Sequence, residues 1–201
     1  LNSPMPFWFN DKLLIETPVL NFIPLDLFFL ITLREFFEEI WLIWYLQGNS
    51  LNVIKENKSN GIKFSTGVSI NNLSLNQNDI GEFRTFLKLS PPLRSEEDRI
   101  SLIEGIKNDL IDVIVSDHIP EDEESKRLPF AQAATGSIGI ETLLSLSLEL
   151  YHNESLPLEK IIKCLTINPA KILKIDKGSL KEGSDADICI FDLEKPWVVK
   201  A

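Results

Sequence analysis

The stretch Ile111-Asp112-Val113-Ile114-Val115-Ser116-Asp117-His118 decides the fold. Its β-branched run is typical of a strand buried on both faces of a parallel sheet, and an acid and an imidazole follow directly. In a barrel of alternating strands and helices, catalytic groups sit at the carboxyl ends of the strands. A carboxylate there binds a divalent metal or takes a proton from a metal-bound water. The alternative interpretation is structural, with Asp117 capping the next turn and His118 packed in the core.

The overall composition is that of a soluble globular protein. The chain has 201 residues, of which 44% are hydrophobic and 25% charged, and its formal net charge is −10. This negative charge argues against nucleic acid and anionic membranes as partners, since both bind to clusters of Lys and Arg. Cys164 and Cys189 lie in apolar contexts without metal-ligand or redox spacing, which predicts buried thiols and a cytoplasmic protein.

Residues 1–50 differ from the rest of the chain. They contain 11 of the 18 aromatic residues. Residues 19–33 are strongly apolar, but Asn21, Pro24 and Asp26 interrupt them, which disfavours a transmembrane helix. No basic region precedes them, which disfavours a secretory signal. Apolar content alone leaves open a role of this segment in docking to a membrane or partner.

From residue 51 onward the pattern alternates between helices and strands. Ser95-Glu96-Glu97-Asp98 has the form of a capping box that opens a helix, and the strand ending at Val115 follows this helix. A strand, a helix and a second strand in this order predict a βαβ unit and a parallel sheet. The predicted strands are Ile62–Ile70, Phe83–Leu89, the run that ends at Val115, and Ala186–Asp192; the predicted helices include Leu51–Asn57 and Gly139–Tyr151, and residues 71–81 are predicted as a polar loop.

Five motifs together resemble the dihydroorotases, of the class I bacterial type, within the cyclic amidohydrolase superfamily. No one of them is decisive, but their order and spacing are family-like over residues 50–201. They are Phe86–Arg94 with its Pro-Pro-Leu-Arg, Ser116-Asp117-His118, Lys126–Ala131 followed by Gly136–Thr142, Asn168-Pro169-Ala170-Lys171, and Gly183–Ile188.

The resemblance implies an α/β fold, namely the C-terminal portion of a (β/α)8 amidohydrolase barrel plus a strand of the accessory β-domain. The expected division is an anomalous segment over 1–50, the C-terminal part of the barrel over 51–178, and the start of the β-domain over 179–201. A barrel of eight strand–helix units takes about 250 residues, so we expect a C-terminal part of a dihydroorotase. Residues 1–50 would then be an unrelated or frame-shifted sequence.

The resemblance also implies a metal-dependent reaction that interconverts carbamoyl aspartate and dihydroorotate, which are small-molecule substrates. In this family a zinc-bound hydroxide attacks the ring carbonyl, and an aspartate shuttles the proton and ligates a metal; Asp117 matches this aspartate. The positions that match substrate contacts are Ser90, His118, Ala134 and Gly136.

The sequence departs from the family where the metal should bind. The family uses a His-x-His and two further histidines, whereas this chain has only His118 and His152. Asn71 and Asn72 occupy a position where relatives carry a histidine pair, and Glu121 stands where relatives bind the substrate carboxylate with a histidine. Because a zinc site needs three or more protein ligands, we expect that this chain alone does not retain zinc.

Two further interpretations stay open at this stage. The first is an inactive dihydroorotase homologue, whose intact form would be a cytoplasmic metallohydrolase of pyrimidine synthesis. The second is a non-catalytic dihydroorotase-like chain that serves as a scaffolding partner of aspartate transcarbamoylase. The loss of the metal-binding histidines and the presence of Glu121 in place of a histidine would fit this interpretation.

Overall fold

The fold is given by a computed structural model that describes residues 30–32, 40–43 and 48–195. Among these residues, four strands form one sheet in the order β1-β2-β3-β4. The pair β1–β2 is antiparallel, whereas the pairs β2–β3 and β3–β4 are parallel. The predicted parallel sheet is therefore present, although the strand that pairs with β4 is not the one predicted. The strands are β1 Leu30–Thr32, β2 Ile40–Ile43, β3 Phe64–Ser69 and β4 Val113–Val115.

Helices connect and cover the parallel strands. Helix α1 links β2 to β3, and α2 and α3 link β3 to β4, so two successive connections have the strand–helix–strand order. The helices are α1 Gly48–Ser59, α2 Ile70–Ser74, α3 Glu96–Lys107, α4 Glu123–Lys126, α5 Leu143–His152, α6 Leu158–Leu165 and α7 Ile167–Leu173.

Helix α3 begins where its cap predicts. The Ser95 hydroxyl accepts a hydrogen bond from the backbone N–H of Asp98, and three acidic residues occupy the first turn, where the helix dipole favours them. The apolar face of α3 then packs against α1 and the sheet. The core contains Ile54 of α1, Leu102 and Ile106 of α3, Val68 of β3, Ile114 of β4, and Ile161 and Cys164 of α6.

A polar cluster fixes the register of β3 and β4 at their amino ends. The Asp112 carboxylate accepts hydrogen bonds from the backbone N–H of Thr66 at 2.8 Å and from Lys58 Nζ at 3.0 Å. The Thr66 hydroxyl donates to the carbonyl of Leu110 at 2.5 Å, and Asn168 Nδ2 donates to the carbonyl of Asp112 at 2.8 Å. These bonds join α1, β3, β4 and α7. Because they fix the register of β3 and β4, they also fix how the carboxyl ends of these two strands lie relative to each other.

The prediction of a strand at Phe83–Leu89 is wrong. Thr85–Leu87 is a 3-10 turn, and the N–H groups of Leu87 and Lys88 bond to the nearby carbonyls of Arg84 and Thr85. Phe83 and Phe86 are exposed, so their spacing reflects no buried sheet face. The strand that precedes α3 in the βαβ unit is instead β3.

The described residues also form no strand at Ala186–Asp192, so the expected strand of an accessory β-domain is not confirmed. A strand is stable only when it pairs with a neighbouring strand, and none of the described residues pairs with this segment. Ile188 and Ile190 are accordingly exposed. Cys189, expected to be buried, is exposed for the same reason, whereas Cys164 is buried as predicted.

Most of the segment 1–50 lies outside the described residues, so its separate origin and the boundary at residue 50 stay predictions. Within it, β2 is described and pairs with β3 in the parallel register Leu42↔Thr66. In the part of the chain that the structure covers, no helix is both long enough and apolar enough to span a membrane.

Candidate active site

The carboxyl ends of β3 and β4 bring two polar segments to one edge of the sheet. Ser69 is the last residue of β3 and pairs with Val115, the last residue of β4. Because the strands are parallel, the residues that follow them emerge side by side. Asn71 lies two residues beyond the end of β3, and Asp117 lies two residues beyond the end of β4.

Asp117 is held in a strained backbone conformation with its carboxyl group partly buried. Its φ is +51°, a left-handed conformation that non-glycine residues rarely adopt except at turns and sites. Its Oδ1 atom is buried and has no hydrogen-bond partner among the described residues. Burial raises the pKa of Asp117 to about 6, although the Ser69 hydroxyl lowers it in part. A carboxyl group with a pKa in this range can act as a general acid or base near neutral pH.

His118 joins the loop after β4 to the loop before α5. Its Nδ1 atom accepts hydrogen bonds from the backbone N–H of Gly139 at 3.1 Å and of Ile140 at 3.4 Å. An imidazole that accepts at Nδ1 carries its hydrogen on Nε2. The neutral ring of His118 therefore offers a hydrogen-bond donor at Nε2, which suits an oxygen of a ligand.

Two glycines allow these loops to approach each other. A Cβ atom at Gly139 would lie 2.2 Å from the carbonyl oxygen of Ser116, and one at Gly136 would lie 2.5 Å from that of Ile119. The N–H of Ile119 donates to the carbonyl of Ser137 at 2.8 Å across the same contact. Gly136, predicted as a substrate contact, is thus required first for close backbone packing.

Ser90 and Ala134, also predicted as substrate contacts, lie on two neighbouring loops. Ser90 is half-buried in the loop before α3, and it precedes a cis peptide bond to Pro91. Two residues earlier, the carbonyl of Lys88 accepts a hydrogen bond from the N–H of Gly136 at 3.0 Å. The Ser90 loop is therefore attached to the Ala134–Gly136 loop.

Asn71 and Asn72 lie in a short helix rather than in the polar loop that the sequence predicts. The Ser69 hydroxyl caps this helix, α2, and both asparagines are buried. Asn71 Nδ2 donates to Ser137 Oγ at 3.1 Å, and Asn72 Nδ2 donates to the carbonyl of Pro92 at 3.2 Å. The Asn72 Oδ1 atom is buried without a partner among the described residues.

Lys126 is a site residue that sequence reasoning missed. It is only 4% exposed, and its Nζ donates to the carbonyls of Gly136, Ala134 and Lys88 at 2.9, 3.1 and 3.2 Å. Burial lowers the pKa of Lys126, while the charge of Glu121 acts to raise it and that of Lys88 to lower it. Its neighbours in Glu-Glu-Ser-Lys-Arg are typical of a solvated helix, so the sequence carries no signal of its burial.

The described residues do not fit a zinc ion. They contain no group of three or more His, Cys, Asp or Glu side chains placed to share a metal, whereas zinc takes about four ligands. His118 is engaged at Nδ1 by backbone N–H groups, and His152 is exposed at the end of α5. Asp117 is thus an isolated carboxylate among these residues, and one carboxylate does not hold a zinc ion by itself.

Comparison with known proteins agrees with the geometry. The sequence profile of the amidohydrolase family matches residues 38–201, so the match begins before residue 50. The chain is 43% identical over 151 residues to the dihydroorotase of Ehrlichia canis (strain Jake) and 41% identical over 150 residues to that of Aquifex aeolicus (strain VF5). Each alignment covers 75% of this chain, but only 34% and 35% of the respective relative, so the chain spans about a third of their length.

Solved structures show the same fold. The L-hydantoinase (dihydropyrimidinase) from Arthrobacter aurescens superposes with a TM-score of 0.68 at 29% identity, covering 73% of this chain and 34% of that protein. This likeness supports an α/β fold of the amidohydrolase barrel type. The chain therefore belongs to the amidohydrolase family, and its sequence fits the C-terminal part of a dihydroorotase.

Proposed function

We propose that this chain carries the proton-exchanging and substrate-contacting part of a dihydroorotase-type site, which interconverts carbamoyl aspartate and dihydroorotate in pyrimidine synthesis in the cytoplasm. The observation that carries this proposal is the partly buried carboxyl group of Asp117, with a pKa of about 6, at the carboxyl end of β4. The similarity to dihydroorotases over 75% of the chain supports the choice of reaction.

The reaction needs one proton to be moved. In ring opening, the oxygen of water bonds to the ring carbonyl carbon, the bond from this carbon to the amide nitrogen breaks, and the proton that water loses ends on that nitrogen. Asp117 takes this proton and then gives it to the nitrogen, and ring closure reverses both steps. A pKa of about 6 suits both the base and the acid role near pH 7, because both protonation states of the carboxyl group are then populated.

The remaining predicted contacts hold the substrate. His118 donates from Nε2 to a substrate oxygen, because its Nδ1 is occupied by backbone N–H groups. Ser90, Ala134 and Gly136 contact the substrate from the two joined loops. Glu121, which replaces a histidine of the family, is exposed. The carboxylate of the substrate is therefore bound away from Glu121, since like charges repel.

Zinc is part of the family's chemistry, but the described residues lack the cluster of donors that would hold it. We expect elemental analysis after dialysis against dilute zinc to give far less than one zinc per chain. Stoichiometric, tightly held zinc would contradict this expectation, because the two histidines of the chain do not lie in one cluster with Asp117. A complete metal centre would need ligands from outside the described residues.

A second candidate function is that of a non-catalytic partner of aspartate transcarbamoylase. The specific observations that favour it are the replacement of the metal histidines by Asn71 and Asn72 and the exposed Glu121. Co-elution of the two purified proteins in size-exclusion chromatography, without substrate binding by this chain, would favour the partner role over the substrate-binding role.

The direct test of the proposed function is a titration of isotope-labelled protein followed by NMR. L-Dihydroorotate should shift the amide signals of Asp117, His118 and residues 134–137 in a saturable manner. Dihydrouracil, which has the same ring without the carboxylate, is the matched control and should bind more weakly. Saturable shifts that lie elsewhere, or no shifts at millimolar dihydroorotate, would contradict the proposal.

A further inference from the structure

The ammonium group of Lys126 holds alternate peptide groups of one loop. Its three donors are taken by the carbonyls of Gly136, Ala134 and Lys88, at 2.9 to 3.2 Å. An ammonium has three N–H donors, so none is left for a ligand. Because the residue is almost fully buried, these bonds are shielded from water and strengthened by the low local dielectric.

This arrangement also fixes the direction of the following N–H groups. Among the described residues, the only cis peptide bond is Ser90–Pro91, so the peptides after Ala134 and Gly136 are trans. In a planar trans peptide, the carbonyl and the next N–H point in opposite directions. The N–H groups of Thr135 and Ser137 therefore point away from Lys126, whereas the N–H of Gly136 bonds to the carbonyl of Lys88 and that of Ala134 to the carbonyl of Ser125.

Ser137 lies at the strand ends described above. Its hydroxyl accepts a hydrogen bond from Asn71 Nδ2 at 3.1 Å, and its carbonyl accepts one from the N–H of Ile119 at 2.8 Å. Asn71 follows β3, and Ile119 is two residues beyond Asp117. Backbone N–H groups that are exposed along a loop favour an anion, because each carries a partial positive charge.

We propose that Lys126 is a positioning residue that orients the N–H groups of Thr135 and Ser137 to bind the carboxylate of the substrate. This inference rests on the proposed function and adds the source of its carboxylate recognition. The loop would supply hydrogen bonds without a cationic side chain in contact with the ligand. It would thereby bind the anion despite the net charge of −10.

The test compares two variants with a matched control. Lys126→Met removes the donors and keeps the apolar stem, while Lys126→Arg keeps a cation with N–H donors. Arg127→Met removes a neighbouring positive charge whose side chain is exposed and pairs with Glu123. We expect the dissociation constant for L-dihydroorotate to rise about tenfold or more in Lys126→Met, as for a lost hydrogen bond to a charged group. It should rise less in Lys126→Arg and stay unchanged in Arg127→Met.

The carbonyl ¹³C signals of Ala134 and Gly136 report the orientation of the loop without any ligand. They should move in Lys126→Met but not in Arg127→Met. Unchanged carbonyl signals, or unchanged affinity in a folded Lys126→Met protein, would overturn the inference. If wild-type protein binds no dihydroorotate, the proposed function fails, and moved carbonyl signals would still uphold the structural part of the role of Lys126.

A measurement on the wild type keeps the inference falsifiable if Lys126→Met does not fold. On addition of dihydroorotate, the amide signals of Thr135 and Ser137 should shift more than those of Ala134 and Gly136, whose N–H groups bond inward. The opposite order would overturn the inference, because the ligand would then bind the wrong face of the loop.

Discussion

Gly139 donates its backbone N–H to Nδ1 of His118 across 3.1 Å. This contact depends on the absence of a side chain at residue 139, since a Cβ there would lie 2.2 Å from the carbonyl oxygen of Ser116. The residue that follows the catalytic candidate is thus held by a glycine 21 positions later in the chain. Together with the approach of Gly136 to Ile119, this contact joins the loop after β4 to the loop before α5.

Replacing Gly139 with alanine should therefore destabilise the protein and release His118. We expect a loss of about 3 kcal/mol of unfolding free energy, within the range for severe overpacking and strain. Chemical denaturation measures this loss. Gly183→Ala is the control, since its Cβ meets nothing within 4 Å and only its φ of +85° is strained, which should cost about 1 kcal/mol. Equal losses for the two variants would contradict the role of the close contact.

Replacing Asp117 with asparagine should change how stability depends on pH. The pKa of Asp117 is raised to about 6 in the folded protein, so as the pH rises from 4 to 6 the unfolded state ionises first and the free energy of unfolding of the wild type falls. This fall is the cost of ionising Asp117 in the folded protein. Above pH 6 this cost is fully present, and near pH 3.5 it is absent. Asp117→Asn removes the cost and should be more stable than wild type by about 1 kcal/mol at pH 7.5, after allowance for partial solvent screening.

The check is a pair of denaturation series at pH 3.5 and pH 7.5. The difference between the two proteins should grow from the lower to the higher pH. A difference that is the same at both values would show that Asp117 has an ordinary carboxyl pKa.

The polar cluster at the amino ends of β3 and β4 should contribute measurably to stability. Thr66→Val keeps the shape of the side chain but removes the hydroxyl that bonds to Leu110 and Asp112, leaving partly buried acceptors without this donor. We expect a loss of about 2 kcal/mol in chemical denaturation. Ser101→Ala also removes one hydroxyl bond to a backbone carbonyl, but on the outer surface of α3, and should cost less than about 0.5 kcal/mol.

The two cysteines should differ in their reactivity. Burial raises the pKa of the Cys164 thiol to about 11, and the thiolate is the reactive form, whereas Cys189 is exposed. At pH 8 a thiol reagent should label one cysteine per native chain and two per denatured chain. Cys189→Ser should leave the native protein unlabelled. Rapid labelling of that native variant would show that α6 does not bury Cys164.

Local sequence patterns predict the features that depend on local chemistry. The β-branched run before Ser116 forms β4, Ser95 caps α3, and Asp117 emerges at the carboxyl end of a parallel strand. The two predicted strands that the described residues do not form depend on partners. Phe83–Leu89 forms a local turn, and none of the described residues pairs with Ala186–Asp192.

The sequence predicts the site only in part, because long-range contacts assign roles that spacing does not reveal. Lys126 lies in a run of charged residues that is typical of solvent exposure, yet its ammonium is buried against Ala134 and Gly136. The sequence predicts a substrate contact at Gly136, and the structure shows that this glycine first permits backbone packing against Ile119.

The most direct measurement is an NMR titration of the Asp117 carboxyl carbon in the isotope-labelled protein, with Asp117→Asn to assign the signal. If Asp117 is the group that exchanges a proton with the substrate, its midpoint should lie near pH 6, well above the ordinary value of 3.8. A midpoint near pH 4 would contradict the proposed role, because the carboxyl would then be too weak a base to take a proton near neutral pH.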